Sequence, residues 1–266
     1  MKLFFFSILK LVIPIVPVFF FSLSASSRPI KIVGIPEEPF RFYDDKNNLT
    51  GIDIDITSRI FKRLKIPYKI ALLSSSQSLT KFYEENLCDM FLTLSKTKER
   101  SKNLTYPKES HIEIPWHFFI LNNNKKKFDF SNWQGLRNLR VGITKDFAYT
   151  PEFWQEANKS YFKPVYEIYN EKQLVNIMEE KIDTAILNRM TSQYRILKYI
   201  DLKVKNAKKV IPHGDPIKIT NYFNPLVKSS THPKIDLIKK NYDDILKNMK
   251  KSGEIKNIIN KYIPNS

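Results

Sequence analysis

Short β-branched runs alternate with stretches whose apolar residues recur every three or four positions. That rhythm continues along almost the whole 266-residue chain. Residues 29–33, 68–73, 90–94, 116–121, 140–143, 165–168 and 184–187 read as strands. Ile52, Ile56, Ile60 and Leu64, with Phe61 beside them, make one apolar helix face. A short helix is expected over residues 78–85. Thr150–Pro151–Glu152 spells a helix start, with a hydroxyl N-cap, proline in the first turn and an acid near the positive end. Asn170 is expected to cap a helix carrying Leu174, Ile177, Met178 and Ile182, and another helix runs to about Tyr199. A long amphipathic helix through Ile235, Ile238, Tyr242, Ile245, Leu246 and Met249 stops at Gly253, before a last helix over residues 254–262. Strand–helix alternation implies βαβ units and largely parallel sheets covered by helices. Hydrophobic residues at 42% suffice for one large core or two lobes, and exclude disorder as the main state.

The first 25 residues read as an export signal. Lys2 and Lys10 make a positive start, Leu11 to Phe21 is continuously apolar, and Ser22–Leu23–Ser24–Ala25 offers small residues for cleavage. An uncleaved anchor is the rival reading. Cleavage after Ala25 removes the two lysines and lowers the net charge from +17 to +15. Such a charge suits nucleic acid or an anionic surface. The lysines are scattered, however, with Lys125–Lys126–Lys127 the longest basic run, and no basic stripe carries interleaved stacking aromatics. No nucleic-acid partner is expected.

Cys88 is the sole cysteine, so no internal disulfide forms, and it reads as a small core residue. His111, His117, His213 and His232 lack zinc spacing, and no metal or cofactor is expected. Asp44–Asp45–Lys46–Asn47–Asn48 reads as a hairpin tip and not as a calcium loop. Nucleotide-binding and serine-hydrolase fingerprints are absent.

Ligands of open α/β sheets lie beyond the carboxyl ends of the strands. The segment Thr93–Leu94–Ser95–Lys96–Thr97–Lys98–Glu99–Arg100 puts two hydroxyls and a guanidinium at such an end. Arginine can grip a planar carboxylate with two parallel hydrogen bonds. Spacing alone leaves open a surface ion pair of Arg100 with Glu99.

Several segments together resemble one family. They are Glu38–Pro39–Phe40 with Leu49–Thr50–Gly51–Ile52–Asp53–Ile54–Asp55, Cys88–Asp89 leading to Ser95 and Arg100, Ile182–Asp183–Thr184–Ala185, and Lys251–Ser252–Gly253–Glu254–Ile255 with Lys261–Tyr262. In this order the chain resembles the extracellular solute-binding proteins of family 3, the exported amino-acid-binding subunits of ABC uptake systems. The resemblance implies a type II periplasmic binding fold, α/β, with two lobes, each a mostly parallel sheet flanked by helices, joined by a two-strand hinge. Residues 26–121 and 211–266 would form lobe 1 and residues 122–210 lobe 2, with crossovers near Leu121 and Ile211. Ligand would bind between the lobes. The resemblance gives Arg100 the ligand α-carboxylate, assisted by the Ser95 hydroxyl, with Thr93 nearby.

Departures from the family pattern fall on the same site. Where amino-acid-binding relatives place an aspartate for the ligand ammonium, this chain has Asn188. An amide brings no charge. Glu37 stands at a position that commonly holds an aromatic, and Ser76 at a second one. Glu37 either takes over an ammonium or faces solvent. Asp146, in the 144–148 loop, opposes an anion at the helix start beyond it. The implied function is a monomeric periplasmic receptor that offers a small polar solute to an inner-membrane ABC permease, without catalysis. The alternatives are a secreted cyclohexadienyl (arogenate/prephenate) dehydratase-like enzyme, with Glu37 or Asp146 as general acid, or a sensing module for a separate membrane protein.

Overall fold

The computed structural model describes residues 28–73, 81–82, 84–127, 130, 133–144, 149–159 and 162–264. The export signal, Ser76, Asp146 and much of the helix expected over residues 78–85 lie outside the described residues.

The strands are β1 (Ile30–Gly34), β2 (Phe42–Tyr43), β3 (Leu49–Thr50), β4 (Tyr68–Leu72), β5 (Met90–Phe91), β6 (Leu94–Ser95), β7 (Leu104–Thr105), β8 (Ile112–Leu121), β9 (Arg140–Thr144), β10 (Lys163–Glu167), β11 (Thr184–Asn188), β12 (Val210–Phe223) and β13 (Leu226–Val227). The helices are α1 (Ile52–Leu64), α2 (Arg100–Asn103), α3 (Pro151–Asn158), α4 (Asn170–Met178), α5 (Arg189–Asp201), α6 (Ile235–Lys251) and α7 (Glu254–Tyr262).

One sheet has the order β4-β1-β5-β13-β7, with β1 parallel to β4 and β5. Alternation along β1 separates its two faces. Ile30 and Ile32 point to the helical side, where Ile52, Ile56 and Ile60 of α1 meet Ile238, Tyr242 and Leu246 of α6. Val33 points to the opposite side, with Cys88, Phe91 and Leu104. Each fully buried isoleucine of α1 contributes about 2–3 kcal/mol through the water it sheds. The α1 start has no side-chain cap. The carbonyls of Pro39 and Phe40 accept from Ile52 N–H (3.0 Å) and Asp53 N–H (2.8 Å) instead. That close approach requires Gly51, at φ +128°, because a Cβ there would lie 2.3 Å from the Phe40 carbonyl oxygen.

The second sheet has the order β10-β9-β11-β8-β12-β6. Its parallel part, β10-β9-β11, continues through antiparallel β8 and β12. One face packs α4 and α5 through Leu174, Ile177 and Ile196; the other gathers Trp116, Phe118, Phe153 and Phe162. β8 and β12 are the longest strands, and they run from one lobe into the other. Ile112 and Ile114 lie in the first core, whereas Phe119, Leu121 and Val210 lie in the second. The two strands therefore link the two cores. Their register shifts between His213 and Lys218, a bulge that bends the pair where it leaves the first lobe.

Thr150 caps α3 as expected, accepting from Phe153 N–H. Asn170 corrects the sequence reading. It is the first residue of α4, and its side-chain oxygen accepts from the Thr144 hydroxyl at 2.8 Å instead of capping the helix. Asp44 accepts from the Lys46 and Asn48 amides, which makes the 44–48 segment the tip of the β2–β3 hairpin.

Candidate ligand-binding site

β6 leaves the first lobe beside the hinge, with Ser95 in register with Tyr222 of β12. One turn on, Arg100 folds back over it. Its Nη1 donates to both the Ser95 hydroxyl and the Ser95 carbonyl, each at 3.0 Å. Tyr106 donates to the same carbonyl at 3.1 Å. Glu99 pairs with Lys102 at 2.8 Å, so the surface ion pair with Arg100 does not form. Among the described residues, no ion pair engages the half-buried Arg100 guanidinium.

Behind this edge lies a buried polar network that sequence reasoning missed. Asp53, fully buried at the α1 start, accepts from Arg41 Nη1 at 2.7 Å and from the Thr93 hydroxyl. His111 Nε2 lies 3.0 Å from the other Asp53 oxygen. Burial works to raise the Asp53 carboxyl, but His111, Arg41 and Thr93 hold it below the usual carboxylate range. Thr93 sits at φ +55°, an uncommon conformation for a β-branched residue. Its N–H donates to Asn224 Oδ1 at 2.9 Å, and Asn224 donates to the Tyr242 hydroxyl at 3.0 Å. The Thr93 side chain is thus turned into the protein, where it fixes the β6 approach. Only the Gly-x-Asp motif around Asp53 hinted at this network in the sequence. Arg41 lies between two aromatics and gave no signal.

Arg41, itself buried, also pairs with Glu37. The tight turn Glu37–Arg41 brings Glu37 Oε2 within 3.4 Å of Arg41 Nη2. Gly34 leaves the room, since a Cβ there would lie 2.8 Å from Arg41 Cδ. The Glu37 side chain is 44% exposed, so solvent screens its charge. Desolvation raises its carboxyl, opposed by Arg41 and by Arg195 of α5 in the second lobe. Glu37 therefore lies within electrostatic reach of both lobes. Tyr222 lies at the meeting point. Burial raises its phenol, Glu37 adds to that, and Arg41 and Arg100 oppose it.

From the second lobe, Asn188, Trp116 and Lys218 stand in one register row across β11, β8 and β12. The Lys218 ammonium lies 4.8 Å from the Trp116 ring centre, and burial lowers its pKa. Asn188 Oδ1 caps α5, accepting from Met190 N–H at 2.9 Å and Thr191 N–H at 3.2 Å. The structure thus brings Glu37, Ser95 and Arg100 together around Tyr222. It turns the polar oxygens of Thr93 and Asn188 toward the protein. The remaining chemistry is a guanidinium and a carboxylate on the first lobe, with cations of the second lobe opposite.

Comparison with known proteins identifies the fold and the family. The L-cystine-binding protein TcyK of Bacillus subtilis (strain 168) is 25% identical over 127 residues, 47% of each chain. The chain thus aligns with about half the length of that curated relative. The crystal structure of the probable amino-acid ABC transporter extracellular-binding protein ytmK from Bacillus subtilis superposes with a TM-score of 0.71 at 18% identity, covering 90% of this chain and 99% of the other. The ancestral amino-acid-binding protein AncCDT-1, a precursor of cyclohexadienyl dehydratase, superposes with a TM-score of 0.61 at 15% identity, covering 88% and 95%. These superpositions establish the type II periplasmic binding fold. The model of the bacterial extracellular solute-binding proteins, family 3, matches residues 31–265, and the chain belongs to that family.

Proposed function

We propose that the chain is an exported receptor, its first 25 residues removed, that captures an amino acid or a related small carboxylate between its lobes for an inner-membrane ABC permease. The observation that carries this reading is Arg100, held at one nitrogen by Ser95 while Glu99 is engaged by Lys102. A guanidinium fixed at one corner presents the rest of its fork to a planar acid. Glu37 is the ligand ammonium partner, in place of the acid that position 188 lacks. Bringing the lobes together removes water from both contacts and strengthens them. The curated L-cystine-binding relative makes L-cystine the first ligand to test.

Calorimetric titration with L-cystine and a panel of amino acids and small organic acids tests the proposal. Binding of a carboxylate that weakens roughly a hundredfold in Arg100→Gln supports it. Equal affinity in both proteins refutes the role of Arg100. A second reading makes Glu37, whose carboxyl desolvation raises, the general acid of a dehydratase. Release of phenylpyruvate from prephenate, lost in Glu37→Gln, would establish that reading over the receptor.

A further inference from the structure

Helix α5 is shared between the lobes. Ile196 belongs to the second core, with Tyr199 and Ile200 packed against it. Met190, Tyr194 and Lys198 recur every four residues and so line one face. That face meets the first lobe. Met190 is buried in the first core, and Tyr194 packs on the same cluster. The Tyr194 and Phe42 rings lie 6.0 Å apart, tilted at 56°. Lys198 Nζ reaches both Glu38 oxygens, at 3.1 and 3.2 Å, and lies 5.7 Å from the Tyr194 ring centre. The stripe begins at the hinge, where Asn188 caps the helix. Eight residues of rise carry Lys198 about 12 Å outward. Contacts far from a hinge separate most when it opens, so Tyr194 and Lys198 move furthest from their partners.

We propose that Tyr194 and Lys198 are affinity-determining positioning residues: they latch α5 onto the Glu38–Phe42 segment and set the fraction of molecules with a closed cleft, without touching the ligand. The inference rests on the reading of the cleft as the binding site. Glu38 neighbours Glu37, and Arg195 stands between Tyr194 and Lys198. Arg195 pairs with Glu171 of α4 within the second lobe, and its charge still acts on Glu37 across the gap. A ligand that binds only the closed form has an apparent affinity scaled by the closed fraction. Latch strength is thus read out as affinity.

Electron–electron distance measurement between spin labels at Lys69→Cys and Lys205→Cys, one on each lobe, tests the latch in the mature protein without ligand. Lys198→Glu sets two carboxylates face to face and is expected to raise the open-to-closed ratio roughly tenfold. Glu38→Lys does the same by opposing two ammonium groups. The swap Glu38→Lys/Lys198→Glu restores the wild-type distribution, which a role in folding alone would not produce. Tyr194→Ala opens the lobes irrespective of charge. Unchanged distances in both single reversals, or a swap that fails to restore them, overturn the latch. L-cystine titration of the same variants forms the second arm. Affinity falling in step with the closed fraction supports the link between latch and site. Distances that respond while L-cystine fails to bind any variant, wild type included, leave the latch standing and count against L-cystine as the solute.

Discussion

At the scale of single residues, the site is built on charges whose partners are fixed by burial. Asp53 neutralises Arg41 and orders Thr93 and His111, and its side chain is fully buried. Removing one member of such a pair strands the other. Asp53→Asn is therefore expected to cost about 3–5 kcal/mol, measured by urea unfolding. Asp89 makes a comparable clamp at the start of β1. It accepts from Arg28, from the Lys31 amide at 2.9 Å and from the Ser230 hydroxyl at 2.6 Å. Burial works to raise its carboxyl, but these donors outweigh it and hold it at about 2, against an ordinary 3.8. A depressed carboxylate stabilises the fold fully above its unfolded value and loses that contribution as pH falls through its folded value. Thermal midpoints should fall between about pH 4 and pH 2. Asp89→Asn should remove that part of the pH dependence and cost about 2 kcal/mol at neutral pH. An unaltered acid limb in the variant would assign it to other carboxylates.

At the scale of elements, local grammar predicted much of what is seen. The i, i+4 isoleucines made α1, Thr150–Pro151–Glu152 opened α3, and Gly253 at φ +76° separates α6 from α7. Departures arose where a competing partner claimed a polar side chain. Asn170 has a capping residue's chemistry, but Thr144 on the neighbouring strand competes for its oxygen. Asn188 is expected from the resemblance to face a ligand, yet the α5 N–H groups claim its Oδ1. Spacing does make Arg100 and Ser95 legible, because they are five residues apart on one strand–turn segment. The Thr93–Asn224 bond spans 131 residues, and no local pattern encodes such a meeting. Two substitutions follow. Gly51→Ala should destabilise by several kcal/mol, because both the positive φ and the Phe40 carbonyl exclude a Cβ. Asn188→Asp should keep the α5 cap, since a carboxylate accepts from the same amides and favours the positive helix end. Calorimetry should then show an amine-bearing ligand binding more tightly to Asn188→Asp than to the wild type.

At the scale of the whole molecule, two cores share two long strands of the second sheet, and the candidate site lies where those strands pass from one core to the other. The division of labour is uneven. The first lobe supplies both Arg100 and Glu37, while the second contributes cations and the α5 stripe. The family match accounts for a two-lobed solute receptor, and the side chains give it its individual character. In the proposed receptor, Arg100 holds an acidic group between the lobes. Parallel thermal-shift titration of wild type and Arg100→Gln with L-cystine, other amino acids and small organic acids tests it most directly. At least one carboxylate should raise the wild-type midpoint and leave that of Arg100→Gln in place, with both unliganded midpoints alike. An equal rise in both proteins, or no rise in the wild type with any carboxylate, would contradict it.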